Sequence, residues 1–218
     1  MTPQSILLVV TAYLLGSIPF GRIIASAVGR INITQRGSGN IGATNVAREL
    51  GLIWGLFTLL LDILKGFVPV FLFAHYVSPE GYGHEIGLSA VGLSALLGHQ
   101  FSIFMRFRGG KGVATAAGVY LGISIPACLL AAVIFVLTVY KWDIISVGSM
   151  ASAVSMPLLL AVFGEPQPLV IGALLVAALI CLKHGGNIQR LLKGNERKWR
   201  GKENQSSISR SLSSSSSE

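Results

Sequence analysis

The chain has 218 residues, of which 52% are hydrophobic and 12% charged, and its formal net charge is +8. Soluble globular domains carry roughly 25% charged residues, about twice this share, and with a mean hydropathy of +0.67 the body of the chain lacks the polar surface of a soluble domain. A secreted disulfide scaffold, a coiled coil and a disordered chain are excluded as well, which leaves one compact helical bundle in a membrane. Glycine is the unusual component, 26 of the 218 residues, well above the usual ~7%.

A bilayer-spanning helix needs about 20 apolar residues, within a range of about 17 to 25. Residues 5–27 meet this and lack both a basic n-region and a small-residue cleavage site, so they are expected to stay as a first span. Residues 51–76 and 86–105 follow as the second and third. The stretch 112–140 is 29 residues long, with Gly118, Gly122 and Pro126 in its first half, and a break is expected near Ser124 to Pro126. Residues 145–164 and 168–184 are the last two. Lys and Arg stay on the cytoplasmic side, and this decides between six and seven crossings. With seven crossings and an external N-terminus, segments 28–50, 106–111, 141–144 and the C-terminal tail are all cytoplasmic. They hold 15 of the 17 Lys and Arg residues, while the external loops carry Glu80, Glu85 and Glu165. The expected fold is therefore an all-α polytopic membrane protein with seven transmembrane helices and a cytoplasmic C-terminus. Residues 1–200 form one domain, and the Ser-rich 201–218 is expected to be disordered.

Cys128 and Cys181 sit in apolar runs as packing residues. With the four histidines they show no metal-ligand spacing, so neither metal nor cofactor is expected. Three segments rich in glycine and polar groups gather at the cytoplasmic face instead. The first is RGSGNIGATN at 36–45, followed by Arg48; the second is GHQFSIFMRFRGGKGVAT at 98–115; the third is KHGGNIQRLLKGNE at 183–196. A shorter piece, SVGS at 146–149, opens the sixth span. Glycine lets a ligand approach the backbone closely, and exposed N–H groups in such turns form anion sites. Ser38, Asn40, Thr44 and Asn45 add hydroxyl and amide groups suited to a phosphate. Gly109, Gly110, Lys111 and Gly112 make a turn that opens onto the fourth span, without the spacing of a P-loop. One such loop is as well explained by tight packing; three loops with Lys or Arg on one face point to an anion site.

Other residues have plainer readings. Asp62 and Lys65, three apart in mid-span, read as a buried ion pair, each costing ~2.5–3.5 kcal/mol if unpaired. His99 and His184 lie at the cytoplasmic ends of their spans, and Asn187 is one turn beyond His184 on the same face. Phe101, Phe104 and Phe107 read as an interfacial belt. Arg197, Lys198, Arg200 and Lys202 read as membrane anchoring to anionic lipid, and no base-stacking module accompanies them to suggest nucleic acid. No nucleophile elbow or H-x-x-x-x-D acyltransferase motif is present, so an enzyme of this sequence would work by positioning and electrostatics.

The three segments closely resemble the motifs of the bacterial acyl-phosphate:glycerol-3-phosphate acyltransferases, the PlsY family, over about residues 5–196. The resemblance implies a seven-span enzyme of the bacterial inner membrane with its active site at the cytoplasmic face. It would move a fatty acyl group from acyl phosphate, not acyl-CoA or acyl carrier protein, to the 1-hydroxyl of glycerol 3-phosphate. The products would be lysophosphatidic acid and phosphate, in the first acylation of phospholipid synthesis. It further implies that Ser38 and the backbone of Gly37, Gly39 and Asn40 hold phosphate. Arg48, Lys111, Ser149, His184 and Asn187 would line the pocket for both substrates, with Thr44, Asn45, His99, Gly109, Gly110 and Gly112 in the same motifs. The assignment of loops to phosphates stays open, as does the choice of His184 or a substrate phosphate as proton acceptor. A monomer without an obligate protein partner is expected, surrounded by membrane lipid. The rival reading is a transporter or channel for an organic phosphate, since broken helices with glycine turns also mark transporters; the clustering on one side and the lack of an inverted repeat count against it. Truncation after Arg200 is expected to leave turnover of the purified protein unchanged, and a large loss would show that the tail is needed.

Overall fold

A computed structural model describes residues 3–77 and 81–200, and the side chains of residues 81 and 82 are outside the description. The Ser-rich tail lies outside the described residues. Ten α-helices and two 3₁₀ turns make up the regular structure of the rest. Helices α1 (Pro3–Ser17) and α2 (Phe20–Gly29) together cover the expected first span, and α3 (Ala43–Leu50) precedes α4 (Leu52–Tyr76). Helix α5 (Gly81–Gln100) is followed by α6 (Val113–Ile123), α7 (Ile125–Trp142), α8 (Ile145–Val162), α9 (Gln167–Lys183) and α10 (Gly185–Leu192).

The interruption of the first span falls at Ile18–Pro19. Proline has no N–H to donate and disfavours a helical conformation in the residue before it. The break expected in 112–140 is present at Ser124, whose extended backbone (φ −148°) separates α6 from α7. Pro126 then occupies the first turn of α7, where its missing N–H costs nothing.

Among the described residues, five segments are long and apolar enough to cross a membrane: Pro3–Gly29, Leu52–Tyr76, Gly83–Met105, Ile125–Trp142 and Ile145–Val162. A sixth is the pair α9 and α10, bent by 58°. Helix α6, with 11 residues, rises about 16 Å, roughly half of a ~30 Å hydrocarbon core. Large apolar side chains remain on the outside, among them Ile53, Leu129, Leu137, Leu158 and Ile171. So wide an apolar surface suits lipid and not water.

Inside, Val70, Phe73, Val91, Leu96, Leu160 and Ile180 form the main core. The helices meet through glycine. On α4 a methyl at Gly66 would run into the Thr115 carbonyl of α6, and one at Gly118 of α6 would run into the Ile63 carbonyl of α4. Gly16 of α1 and Gly98 of α5 stand in the same relation to Ala95 and Tyr13. Without a hydrophobic force between helices in lipid, such backbone contact is what holds two spans together. These are packing glycines, unlike Gly37 and Gly112, whose positive φ values shape turns in the glycine-rich segments.

Gly118→Ala is accordingly expected to destabilise the protein by about 1–3 kcal/mol through overpacking, read as a fall in melting temperature in detergent. Gly83→Ala, where a methyl meets nothing within 4 Å among the described residues, is expected to leave the melting temperature unchanged or slightly higher.

Candidate active site

The three glycine-rich segments and the start of α8 border one cavity of about 560 Å³, in the usual size range for a small-molecule site. Ser38, Asn40, Thr44, Asn45, Arg48, His99, Lys111, Gly112, Ser149, His184 and Asn187 all line it, as does Gly37. Gly39, Gly109 and Gly110 do not. Gly109 and Gly110 instead press against the end of α5, where a methyl would overlap the His99 carbonyl and the His99 ring respectively.

The first segment is organised by Asn45, which is 2% exposed. Its Oδ1 accepts the Ser38 N–H at 2.9 Å, and its Nδ2 donates to the carbonyls of Asn40 at 2.9 Å and Arg36 at 3.1 Å. The Gly39 N–H donates to the Arg36 carbonyl. The turn needs Gly37 in the left-handed region (φ +57°), because a side chain there would strike Asn45. The N–H groups of Ser38, Gly39, Asn40 and Gly42 are thus used within the loop, and Ser38, Thr44 and Arg48 are among the residues that border the cavity. Arg48 projects from α3, a short amphipathic helix inside a segment that the hydropathy pattern alone reads as loop.

Lys111 is carried by a turn hung from α5. The Gly110 N–H donates to the His99 carbonyl at 3.0 Å, and Gln100 Nε2 donates to the Lys111 carbonyl at 2.8 Å. Lys183 Nζ donates to the Gln100 carbonyl at 2.8 Å and lies 4.0 Å from the centre of the Phe101 ring. Gly112, at φ +86°, turns the chain into α6.

The third segment is tied together by Glu196. Its Oε1 accepts from Ser146 Oγ at 2.8 Å and from Asn187 Nδ2, and its Oε2 accepts from Arg190 Nε at 2.7 Å. Burial pushes the Glu196 carboxyl up, but these hydrogen bonds and the charge of Arg190 hold it below its ordinary value. His184, 1% exposed, donates from Nδ1 to the Ile180 carbonyl at 2.8 Å. That bond leaves Nε2 as the lone-pair nitrogen.

Among the described residues, four cations border the cavity: Arg48, Lys111, Arg190 and Arg197. The carboxylates bordering it are Glu196 and Asp62, and Asp62 is paired with Lys65 at 3.0 Å. Burial lowers the Lys111 pKa to about 8, helped by the charges of Arg190 and Arg48 and opposed by Glu196. Burial also lowers that of Arg48, as does Arg197, while Glu196 raises it. Positive charge therefore exceeds negative charge at this mouth, and a phosphate would relieve the excess. From the mouth the cavity continues between apolar side chains, including Tyr120, Ala131, Phe135, Ala153, Met156 and Ile180.

Residues 6–194 match a protein-family model described as glycerol-3-phosphate acyltransferase. The chain belongs to this family. A glycerol-3-phosphate acyltransferase of Geotalea daltonii is 47% identical over 193 residues, covering 88% of this chain and 96% of the relative. One of Geobacter sulfurreducens is 44% identical over 198 residues, covering 90% and 98%. The fold is similar to the crystal structure of PlsY, an integral membrane glycerol 3-phosphate acyltransferase, in its glycerol 3-phosphate form. There the TM-score is 0.84 and the identity 38%, over 89% of this chain and 95% of that one. The lysophosphatidic acid form gives a TM-score of 0.82 at 37% identity. This family member is a multi-pass membrane protein.

Reading the acyltransferase sequence alone passes over Glu196 and Arg190, leaves Asp62 as a packing ion pair, and assigns Arg197 and Arg200 to lipid anchoring. In the fold Arg197 lines the cavity, and Arg200 pairs with Asp143 at 3.0 Å. Trp199 lies under Arg48, 5.8 Å from its guanidinium carbon. A carboxylate inside a strongly basic segment is the signal that marks Glu196.

Lys111 is charged below its pKa of about 8 and neutral above it, so a phosphate held through its charge would bind at low pH and be released as pH rises. The dissociation constant of a phosphate monoester is expected to climb between about pH 7 and pH 9. Lys111→Arg should flatten that profile, because guanidinium stays charged throughout; titration calorimetry on both proteins makes the comparison.

Proposed function

We propose that this protein transfers a fatty acyl group from acyl phosphate to the 1-hydroxyl of glycerol 3-phosphate. The observation that carries the proposal is the joint cavity, whose cationic mouth continues into an apolar lobe. Both substrates bear phosphate, and the donor also brings a long apolar chain. Arg48 and Lys111 hold phosphate, with Ser38, Ser149 and Asn187 as hydrogen-bonding partners, and the lobe between α6, α7 and α8 takes the acyl chain.

Acyl phosphate is a mixed anhydride, so its carbonyl carbon is already activated and no enzyme nucleophile is required. The glycerol 1-oxygen forms a bond to that carbon while the bond from the carbon to the phosphate oxygen breaks. The hydroxyl proton passes to a phosphate oxygen of a bound substrate, and the products are 1-acylglycerol 3-phosphate and phosphate. Four cations at the mouth stabilise the charge that builds on the departing phosphate. His184 Nε2 is the second reading for the proton acceptor, favoured by the Nδ1 bond to Ile180, which leaves that nitrogen unprotonated.

The same proposal places the protein in the bacterial inner membrane as a monomer with seven crossings, an external N-terminus and the cavity at the cytoplasmic face. The break at Ser124 divides α6 from α7, which is the division that seven crossings need.

Purified protein in lipid, given palmitoyl phosphate and glycerol 3-phosphate, is expected to release phosphate and lysophosphatidic acid in equal amounts. Palmitoyl-CoA should not replace the donor. Arg48→Ala and Lys111→Ala should each lower turnover by about a hundredfold or more, the cost of losing one preorganised electrostatic contact, with folded yield intact. No turnover by folded wild-type protein, together with flux of glycerol 3-phosphate across liposomes, would favour a transporter instead.

A further inference from the structure

One buried group near the cavity has no use in the chemistry above. Asp62 borders the cavity and is 3% exposed, in the middle of α4. Its carboxylate is tethered by Lys65, whose Nζ stands 3.0 Å from Asp62 Oδ1. Lys65 Nζ also donates to the Ile18 carbonyl at 3.0 Å, at the break between α1 and α2. The pair is thus fixed to a third element and not merely closed on itself.

Asp62 Oδ1 lies 3.9 Å from His99 Nδ1. That nitrogen is buried and has no hydrogen-bond partner among the described residues, and buried polar groups left unpaired are rare. A movement of about 0.7 Å brings the two atoms within bonding distance. On its other edge, the His99 ring meets Gly110 so closely that a methyl there would overlap Nε2. The His99 carbonyl accepts the Gly110 N–H, and the next residue, Gln100, donates to the Lys111 carbonyl. The ring therefore lies directly beneath the turn that carries Lys111.

We propose that Asp62 is a positioning residue, whose carboxylate, tethered by Lys65, fixes the His99 ring and through it the height of the 109–112 turn. This rests on the reading that Lys111 binds substrate phosphate. A mid-span carboxylate is expensive in lipid, and its position here joins α4 and the α1–α2 break to the loop at the cavity mouth. Asp62 acts on the reaction through His99 and Lys111 and touches no reacting atom.

Asp62→Asn alone leaves Lys65 buried without its counter-charge, so the decisive variant is Asp62→Asn combined with Lys65→Met, which removes both charges. Two quantities are read for wild type and both variants in lipid: the Kd of glycerol 3-phosphate by calorimetry, and kcat and KM by phosphate release. For the double variant, Kd and KM for glycerol 3-phosphate are expected to rise by about tenfold, with kcat changed far less, the pattern of lost ground-state binding. A purely structural ion pair predicts the opposite, a smaller active fraction with lower apparent kcat and unaltered Kd and KM. That result, or full recovery of wild-type binding in the double variant, would overturn the proposal. The binding arm also separates the two readings. Wild type that binds glycerol 3-phosphate without turning over acyl phosphate refutes the donor assignment and leaves the Asp62 comparison intact. Binding that is equally strong in Lys111→Ala refutes the phosphate site itself.

Discussion

Like charges held together repel, and they repel more strongly where burial reduces screening by water. Arg48, Lys111, Arg190 and Arg197 meet at one cavity mouth, and most of what surrounds them answers that constraint. Glu196 is the built-in counterweight. It takes hydrogen bonds from Ser146, Asn187 and Arg190, which ties α10 to the start of α8 and spreads one negative charge under several donors. The balance stays positive, and Lys111 sits within it with a pKa that burial, more than its charged neighbours, depresses. Under the proposed function a ligand phosphate would complete what the protein leaves incomplete, and electrostatic strain in the free protein would become affinity for the substrate.

Holding those cations in register requires rigid supports, and the spans provide them through glycine. Gly66 against α6, Gly118 against α4, and Gly16 and Gly98 between α1 and α5 bring backbones into direct contact. Lipid offers no hydrophobic gain for pairing helices, so close packing and polar ties must do that work. The polar ties run towards the site. Lys65 joins α4 to the α1–α2 break, Gln100 joins α5 to the Lys111 turn, and Lys183 joins α9 to Gln100. Glycine thus has two separate uses here. Within the spans it allows approach of helix to helix, and in the segments around the cavity it allows the sharp turns at Gly37 and Gly112 next to Ser38 and Lys111.

How much of this was legible beforehand depended on the range of the physical signal. Apolar run lengths located five long membrane helices to within a few residues, because bilayer thickness imposes a length that a one-dimensional pattern records. The break at Ser124 was legible from Pro126 and its neighbouring glycines, since proline acts locally. The interruption at Ile18–Pro19 carries the same kind of signal, masked by an otherwise unbroken apolar run. Helix α3 was not legible, because eight polar and apolar residues between glycines resemble a loop until they pack on α4.

The sequence by itself determined a membrane bundle, the three phosphate-suited segments and the family, since composition, spacing and motif are properties of neighbouring residues. Only the tertiary structure decided how those residues divide their work. Asn45 holds its own loop together, Gly109 and Gly110 serve the end of α5, Glu196 at the edge of the third segment ties the site to α8, and Arg197 joins it from a stretch that reads as membrane anchoring. Asp62, an ion pair in one dimension, comes within reach of His99 in three. The physical reason is common to all of them. A side chain's role is set by whatever lies within a few ångströms of it, and for these residues those neighbours arrive from helices far away in the chain.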